Sequence, residues 1–119
     1  MNLLDRDAAR VVLDRRVAEG LRYGRGFAIV RLQLPADALA DALPRLLDSM
    51  RDADVLAHWG EEELLAILPE TSSEGAARAA ERLRDAVRDV PMLAGAAHFL
   101  GDESADALLG RAAWARARA

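Results

Sequence analysis

Arg51-Asp52-Ala53-Asp54-Val55-Leu56-Ala57-His58-Trp59-Gly60-Glu61-Glu62-Glu63-Leu64-Leu65-Ala66-Ile67-Leu68 holds two short runs, Asp54 to Trp59 and Glu63 to Leu68, flanking Gly60-Glu61. Two such runs around a glycine-containing turn read as a β-hairpin. Pro69 ends the second run, since proline has no N–H to give to a ladder. Behind it, Thr71-Ser72-Ser73-Glu74 offers helix caps with acids close by, and the Ala/Arg-rich stretch to about Arg88 continues as a helix. Pro91 breaks that helix, Met92 to Phe99 suits a central strand, and Gly101-Asp102 turns the chain. Ser104 then caps a last helix reaching about Ala117.

Upstream of the hairpin the period changes twice. Leu39, Leu43, Leu46, Leu47 and Met50 recur at helical spacing from Asp37 to Met50, with Pro44 predicting a kink or a break. Phe27 to Leu34 is a strand closed by Pro35. Leu3, Leu4, Ala8, Val11, Val12, Arg15 and Ala18 predict an amphipathic helix over residues 4 to 22, with Gly20 and Gly24 at its exit. The order is helix, β-α-β-β-α-β, helix. The fold class is therefore α+β, a ferredoxin-like core whose four-stranded antiparallel sheet carries helices, plus one extra helix at each end. That fold hosts many functions, so function must come from a site.

The bulk properties narrow the classes. The chain has 119 residues and suits a single domain over 1–119. It is 52% hydrophobic and 30% charged, as ordinary globular domains are. A net charge of −4 argues against DNA, RNA or an anionic membrane as a broad partner, since each needs a dominant basic field. Without cysteine there is no disulfide, thiolate chemistry or Cys-based zinc site, which fits a cytoplasmic protein. The longest apolar run, Leu64 to Pro69, is too short for a membrane span. A spanning helix needs roughly 20 residues.

The string from Arg51 to Leu68 resembles the centre of a GGDEF domain, the diguanylate cyclase family. There, Arg-x-x-Asp precedes the Gly-Gly-[Asp/Glu]-Glu-Phe hairpin by five residues. Arg51 and Asp54 stand in that relation to Gly60-Glu61-Glu62-Glu63-Leu64. Ala80-Glu81-Arg82-Leu83-Arg84, Leu93-Ala94-Gly95-Ala96-Ala97 and Ala105-Asp106-Ala107-Leu108-Leu109 are similar to later family segments, in the same order. The collinear series carries the resemblance, because the hairpin itself keeps only its first glycine and the two acids.

The resemblance implies a degenerate member. Family cyclases join two GTP molecules with two metal ions held by an Asp-x-Asp at the first strand's end and the hairpin acid. At the corresponding place this chain has Gln33-Leu34-Pro35, and Glu62 alone cannot hold two metals. Glu61 replaces the glycine that lets phosphate approach the backbone. The guanine-reading segment is missing between Ala36 and Met50. No catalytic residue, metal or cofactor is therefore expected.

What the resemblance implies is kept is the inhibitory site for cyclic di-GMP, at Arg51, Asp54 and Arg82. Arginine can donate to guanine O6 and N7, and aspartate can accept from N1–H and N2–H. The short pattern also recurs as Arg45-x-x-Asp48, so Arg51 and Asp54 equally suit a surface ion pair. The implied role is a bacterial signalling module within a larger effector, such as a regulator of exopolysaccharide secretion. A stacked pair of ligands bridging two protein surfaces is one mode of binding. The competing reading is an interaction module that docks a partner protein or neighbouring domain without nucleotide. A weaker third is residual GTP binding at the hairpin.

Other residues have blander expectations. Glu61, Glu62 and Glu63 suit a solvated turn, and His58 and His98 are too far apart to form a ligand set. Trp59 is expected at the hairpin edge, and Trp114 in the core or an interface. Arg10, Arg15, Arg16, Arg22 and Arg25 on the first helix suit a solvated face, or alternatively a partner contact.

Overall fold

A computed structural model describes residues 3–118, with side chains from 3 to 113, so the expectation for Trp114 lies outside the described side chains. The strands are β1 (Leu3–Leu4), β2 (Phe27–Gln33), β3 (Val55–Gly60), β4 (Glu63–Pro69) and β5 (Leu93–His98). The helices are α1 (Arg6–Tyr23), α2 (Leu39–Asp48), α3 (Ser73–Ala86) and α4 (Ala105–Arg118), with a 3₁₀ turn at Ala36–Ala38.

One sheet runs in the order β1-β3-β4-β2-β5. Its four longer strands pair antiparallel, which is the ferredoxin-like arrangement expected from the element order. The fifth strand is an addition: Leu3 and Leu4 pair parallel with Leu56 and Ala57 instead of opening the first helix. Two residues are too few for a periodicity signal.

Both faces of the sheet are covered. On one, Ala9, Leu13 and Val17 of α1 and Leu108 and Ala112 of α4 meet Phe27, Ile29, Leu65 and Ile67. On the other, Leu46 of α2 and Ala76, Ala79 and Leu83 of α3 meet Val30, Leu32, Leu64 and Ala66. Double coverage explains why Phe27 to Val30 and Leu64 to Pro69 are buried without alternation.

The helix starts are built as their residue types require. Asp5 accepts from the Ala8 N–H at 2.8 Å, Ser72 from Gly75 at 3.0 Å and Ser104 from Ala107 at 3.1 Å. Gly24, with φ 69°, ends α1 and donates its N–H to the Gly20 carbonyl at 3.0 Å. A glycine in the left-handed conformation is a common helix terminator. Gly20 is not part of the exit. It lies within α1, where a Cβ would come within 2.5 Å of the Phe99 ring. That ring stacks on Phe27 with centroids 5.0 Å apart. Nor does Pro44 break α2, which runs through it.

Candidate functional site

The site grows from the turn between α2 and β3. Asp54 donates its N–H to the Arg51 carbonyl at 3.0 Å, closing the turn. The Asp54 carboxylate then reaches back: Oδ2 accepts from the Arg51 backbone N–H at 2.9 Å and from its Nε at 3.3 Å. Oδ1 accepts from Arg51 Nη2 at 3.0 Å. Asp54 is buried to a side-chain exposure of 0%, whereas Arg51 is 56% exposed. The Arg-x-x-Asp spacing thus closes on itself as an ion pair with the acid inside and the base at the surface.

Arg51 is anchored from a second side. Its Nη2 donates to Thr71 Oγ1 at 2.8 Å and to the Pro69 carbonyl at 3.3 Å. Thr71 Oγ1 in turn donates to that carbonyl at 2.9 Å, so this buried hydroxyl is satisfied in both directions. Nη1 takes part in none of these bonds, and the side chain is 56% exposed. Arg82 arrives from α3 and donates through Nε to the Ser49 carbonyl at 2.8 Å.

Arg51 and Arg82 line one pocket of about 310 Å³, together with Glu70, Thr71, Ser72 and Arg78. The structure therefore brings Arg51 and Arg82 together, with Asp54 buried against Arg51 and not on the pocket's lining. Three arginines and one glutamate line the pocket, with the Asp54 carboxylate against Arg51. Arg78 is loosely held, 4.0 Å from Glu74 with both side chains exposed. Sequence reasoning missed Arg78, Glu70 and Thr71. Arg78 was accessible to it, since a residue four before Arg82 on a helix shares its face. The rival Arg45-x-x-Asp48 pattern forms nothing of the kind. Arg45 instead donates to Asp41, to Asp89 and to the Ala86 carbonyl, pinning α2 to the end of α3.

A second cavity of about 450 Å³ lies at the other end of β2, between the hairpin and β5. Gln33, Leu34, Pro35, Met92, Leu93 and Glu62 line it, and Glu62 is the one carboxylate among these. Glu62 accepts the Leu34 N–H through its carbonyl at 3.0 Å and the Ala36 N–H through Oε2 at 3.3 Å. Among the described residues no group of three or more His, Asp or Glu could hold a metal ion.

The hairpin acids are not all solvated as expected. Glu61 and Glu62 are exposed, but Glu63 is largely covered and ion-paired with Arg31. Arg31 also donates to the Leu109 carbonyl at 3.0 Å, tying the hairpin to α4. An arginine inside a strand carried no motif to announce this. Trp59 is buried at the hairpin, with the Arg6 guanidinium 4.6 Å over its ring and donating to its carbonyl at 2.6 Å. His58 is exposed and His98 half-buried on separate strands. Of the α1 arginines, Arg10 meets Asp14 and Asp106 and Arg16 meets Glu19, all near the surface.

The sheet order and the helices on its two faces place the chain among α+β domains with a ferredoxin-like core. Residues 36–113 match the family described as "Diguanylate cyclase, GGDEF domain", and the chain belongs to that family. Solved structures with the same fold include the GGDEF domain of DgcB from Caulobacter crescentus in complex with c-di-GMP, at TM-score 0.87 and 20% identity. That alignment covers 99% of this chain and 85% of the other. The FimX GGDEF domain from Pseudomonas aeruginosa aligns at TM-score 0.87 and 16% identity, covering 98% and 88%. The diguanylate cyclase SiaD from the same organism, in complex with its activator SiaC, aligns at TM-score 0.85 and 21% identity. There 96% of this chain is covered but only 54% of SiaD, so the chain spans about half of that protein. No curated protein matches the chain.

Proposed function

We propose that this domain is a non-catalytic receptor for cyclic di-GMP, binding it in the pocket of Arg51 and Arg82. The observation that carries the reading is the convergence of those two arginines, distant in sequence, on one concavity. An arginine fork meets guanine O6 and N7 and also neutralises a phosphodiester. In this reading Asp54 positions Arg51. The hairpin end supports the loss of synthesis, because its cavity offers Gln33 and Pro35 where the family resemblance calls for carboxylates. The biological role that follows is ligand sensing in the cytoplasm of a bacterium, as part of a larger effector, with no resident cofactor. Among the described residues no helix is long and apolar enough to cross a membrane.

Calorimetric titration of the wild type with cyclic di-GMP is expected to give saturable heat, lost in Arg51→Ala and weakened in Arg82→Ala. A silent wild-type titration up to about 100 μM ligand overturns the receptor reading. The alternative, partner docking without nucleotide, then gains ground. Its support is the mostly apolar cavity at the hairpin end, where Leu93 is 53% exposed.

A further inference from the structure

We infer that the outer face of α1 is a docking site for an acidic amphipathic helix of a partner protein. Only one side of α1 enters the core, through Ala9, Leu13, Val17 and Gly20. Successive helical residues turn by about 100°, so Val11, Arg15, Ala18 and Arg22 share an arc of about 60° on the opposite side. A solvated helix face is ordinarily polar, with neighbouring charges matched. This one departs on both counts.

Of the five large apolar side chains left exposed among the described residues, Val11, Leu21 and Tyr23 belong to α1, each more than half exposed. Val11 lies on the stripe itself, and Leu21 and Tyr23 stand to either side of its C-terminal end. The charges on this face are of one sign. Arg10 and Arg16 are matched by Asp14, Asp106 and Glu19, but Arg15, Arg22 and Arg25 meet no carboxylate among the described residues. Glu19 is spaced to serve Arg15 or Arg22, yet it pairs with Arg16 at 3.6 Å. Arg22 lies over the Tyr23 ring instead, 5.5 Å from its centroid.

These features define the occupant. A helix packs along another by setting its ridges into the grooves, and Ala18 between the arginines leaves room for a close approach. Apolar residues on the incoming helix would cover Val11, and carboxylates flanking them would meet Arg15 and Arg22. A second copy in a two-fold contact would bring the same arginines to both sides. An anionic membrane would repel a chain of net charge −4. Because α1 and α3 cover opposite faces of the sheet, the site stands apart from the arginine pocket.

The test is fluorescence anisotropy with a labelled alanine-based helical peptide carrying leucine and glutamate on one face, beside a twin with lysine for each glutamate. Wild type is expected to bind the glutamate peptide with a Kd of about 10–100 μM, weakening about tenfold in about 0.5 M salt. Arg15→Glu combined with Arg22→Glu should lose that binding and take the lysine peptide instead. Val11→Ser should weaken it about fivefold. Thermal unfolding should leave the double variant close to wild type, since neither arginine has an ion pair to lose. Glutamate-peptide binding that survives the double variant overturns the assignment, because the site would then lie elsewhere. So does a wild type that binds neither peptide. Self-association of wild type, or its sedimentation with phosphatidylserine vesicles, overturns the assigned occupant if the double variant abolishes it.

Discussion

At the scale of single residues, the two arginines of the pocket do different work. Arg51 neutralises a buried carboxylate, so Arg51→Ala leaves Asp54 inside the fold without its cation. Losing a partner of a buried group costs about 1–3 kcal/mol; Asp54 keeps the backbone N–H of residue 51, and Arg51 is exposed, so the cost belongs in the lower part of that range. Arg82 is exposed and among the described residues gives one bond, to the Ser49 carbonyl. Arg82→Ala should therefore stay within about 0.5 kcal/mol of wild type, as surface substitutions do. Urea unfolding of both variants checks the contrast. Equal destabilisation would mean that Asp54 does not depend on Arg51. The contrast also makes Arg82→Ala the cleaner probe of binding. The spacing of Arg51 and Asp54 was legible in the sequence, but the direction in which the pair would close was not. An i, i+3 pair can face solvent or fold inward, and here Arg51 also bonds Thr71 and the Pro69 carbonyl, partners that lie beyond the hairpin in sequence.

Among the elements, α4 is fastened to the sheet by charge as well as by apolar contact. Arg111 donates to Glu103 through Nε at 2.9 Å and through Nη2, and to the His98 carbonyl at 2.6 Å. Arg111's hydrogen bonds hold the Glu103 carboxyl below the usual glutamate range; burial opposes this, while the Leu100 N–H and the charges of Arg111 and His98 add to it. A folded-state value below the unfolded one means stability that is present above the ordinary glutamate value of about 4.3 and is lost as pH falls through the depressed value. Wild type should therefore lose stability on acidification below about pH 4.3, more steeply than Glu103→Gln. Some slope will persist in the variant, because Asp89 is lowered in the same direction by Arg45. Urea midpoints measured against pH test this, and parallel profiles would refute it. Element order was readable because period, prolines and caps agreed from Phe27 to Ser104. Disagreements arose where a tertiary neighbour outweighed a local signal: Phe99 needs Gly20 inside α1, and β3 recruits Leu3 and Leu4 as a strand.

Across the whole molecule, the two ends of the sheet have opposite chemistry. One end gathers arginines around a pocket, and the other has an apolar cavity with a single carboxylate at the hairpin. Loss of synthesis in this reading is distributed rather than local. Gln33 and Pro35 stand where the family resemblance calls for carboxylates, Glu61 adds charge at the turn, and a 3₁₀ turn and α2 occupy residues 36–48 where the resemblance calls for a guanine pocket. Restoring one part should then restore only that part. Gln33→Asp combined with Pro35→Asp would place two new carboxylates near Glu62, a set of hard oxygen donors suited to a divalent cation. Paramagnetic resonance titration should show Mn²⁺ binding that wild type lacks. Incubation of either protein with GTP and Mg²⁺ should still yield no cyclic di-GMP by chromatography, since positioning of the substrate carries as much of such a reaction as the metal does. Product from the double variant would show that two carboxylates were the whole deficit, and product from wild type would show that there was none.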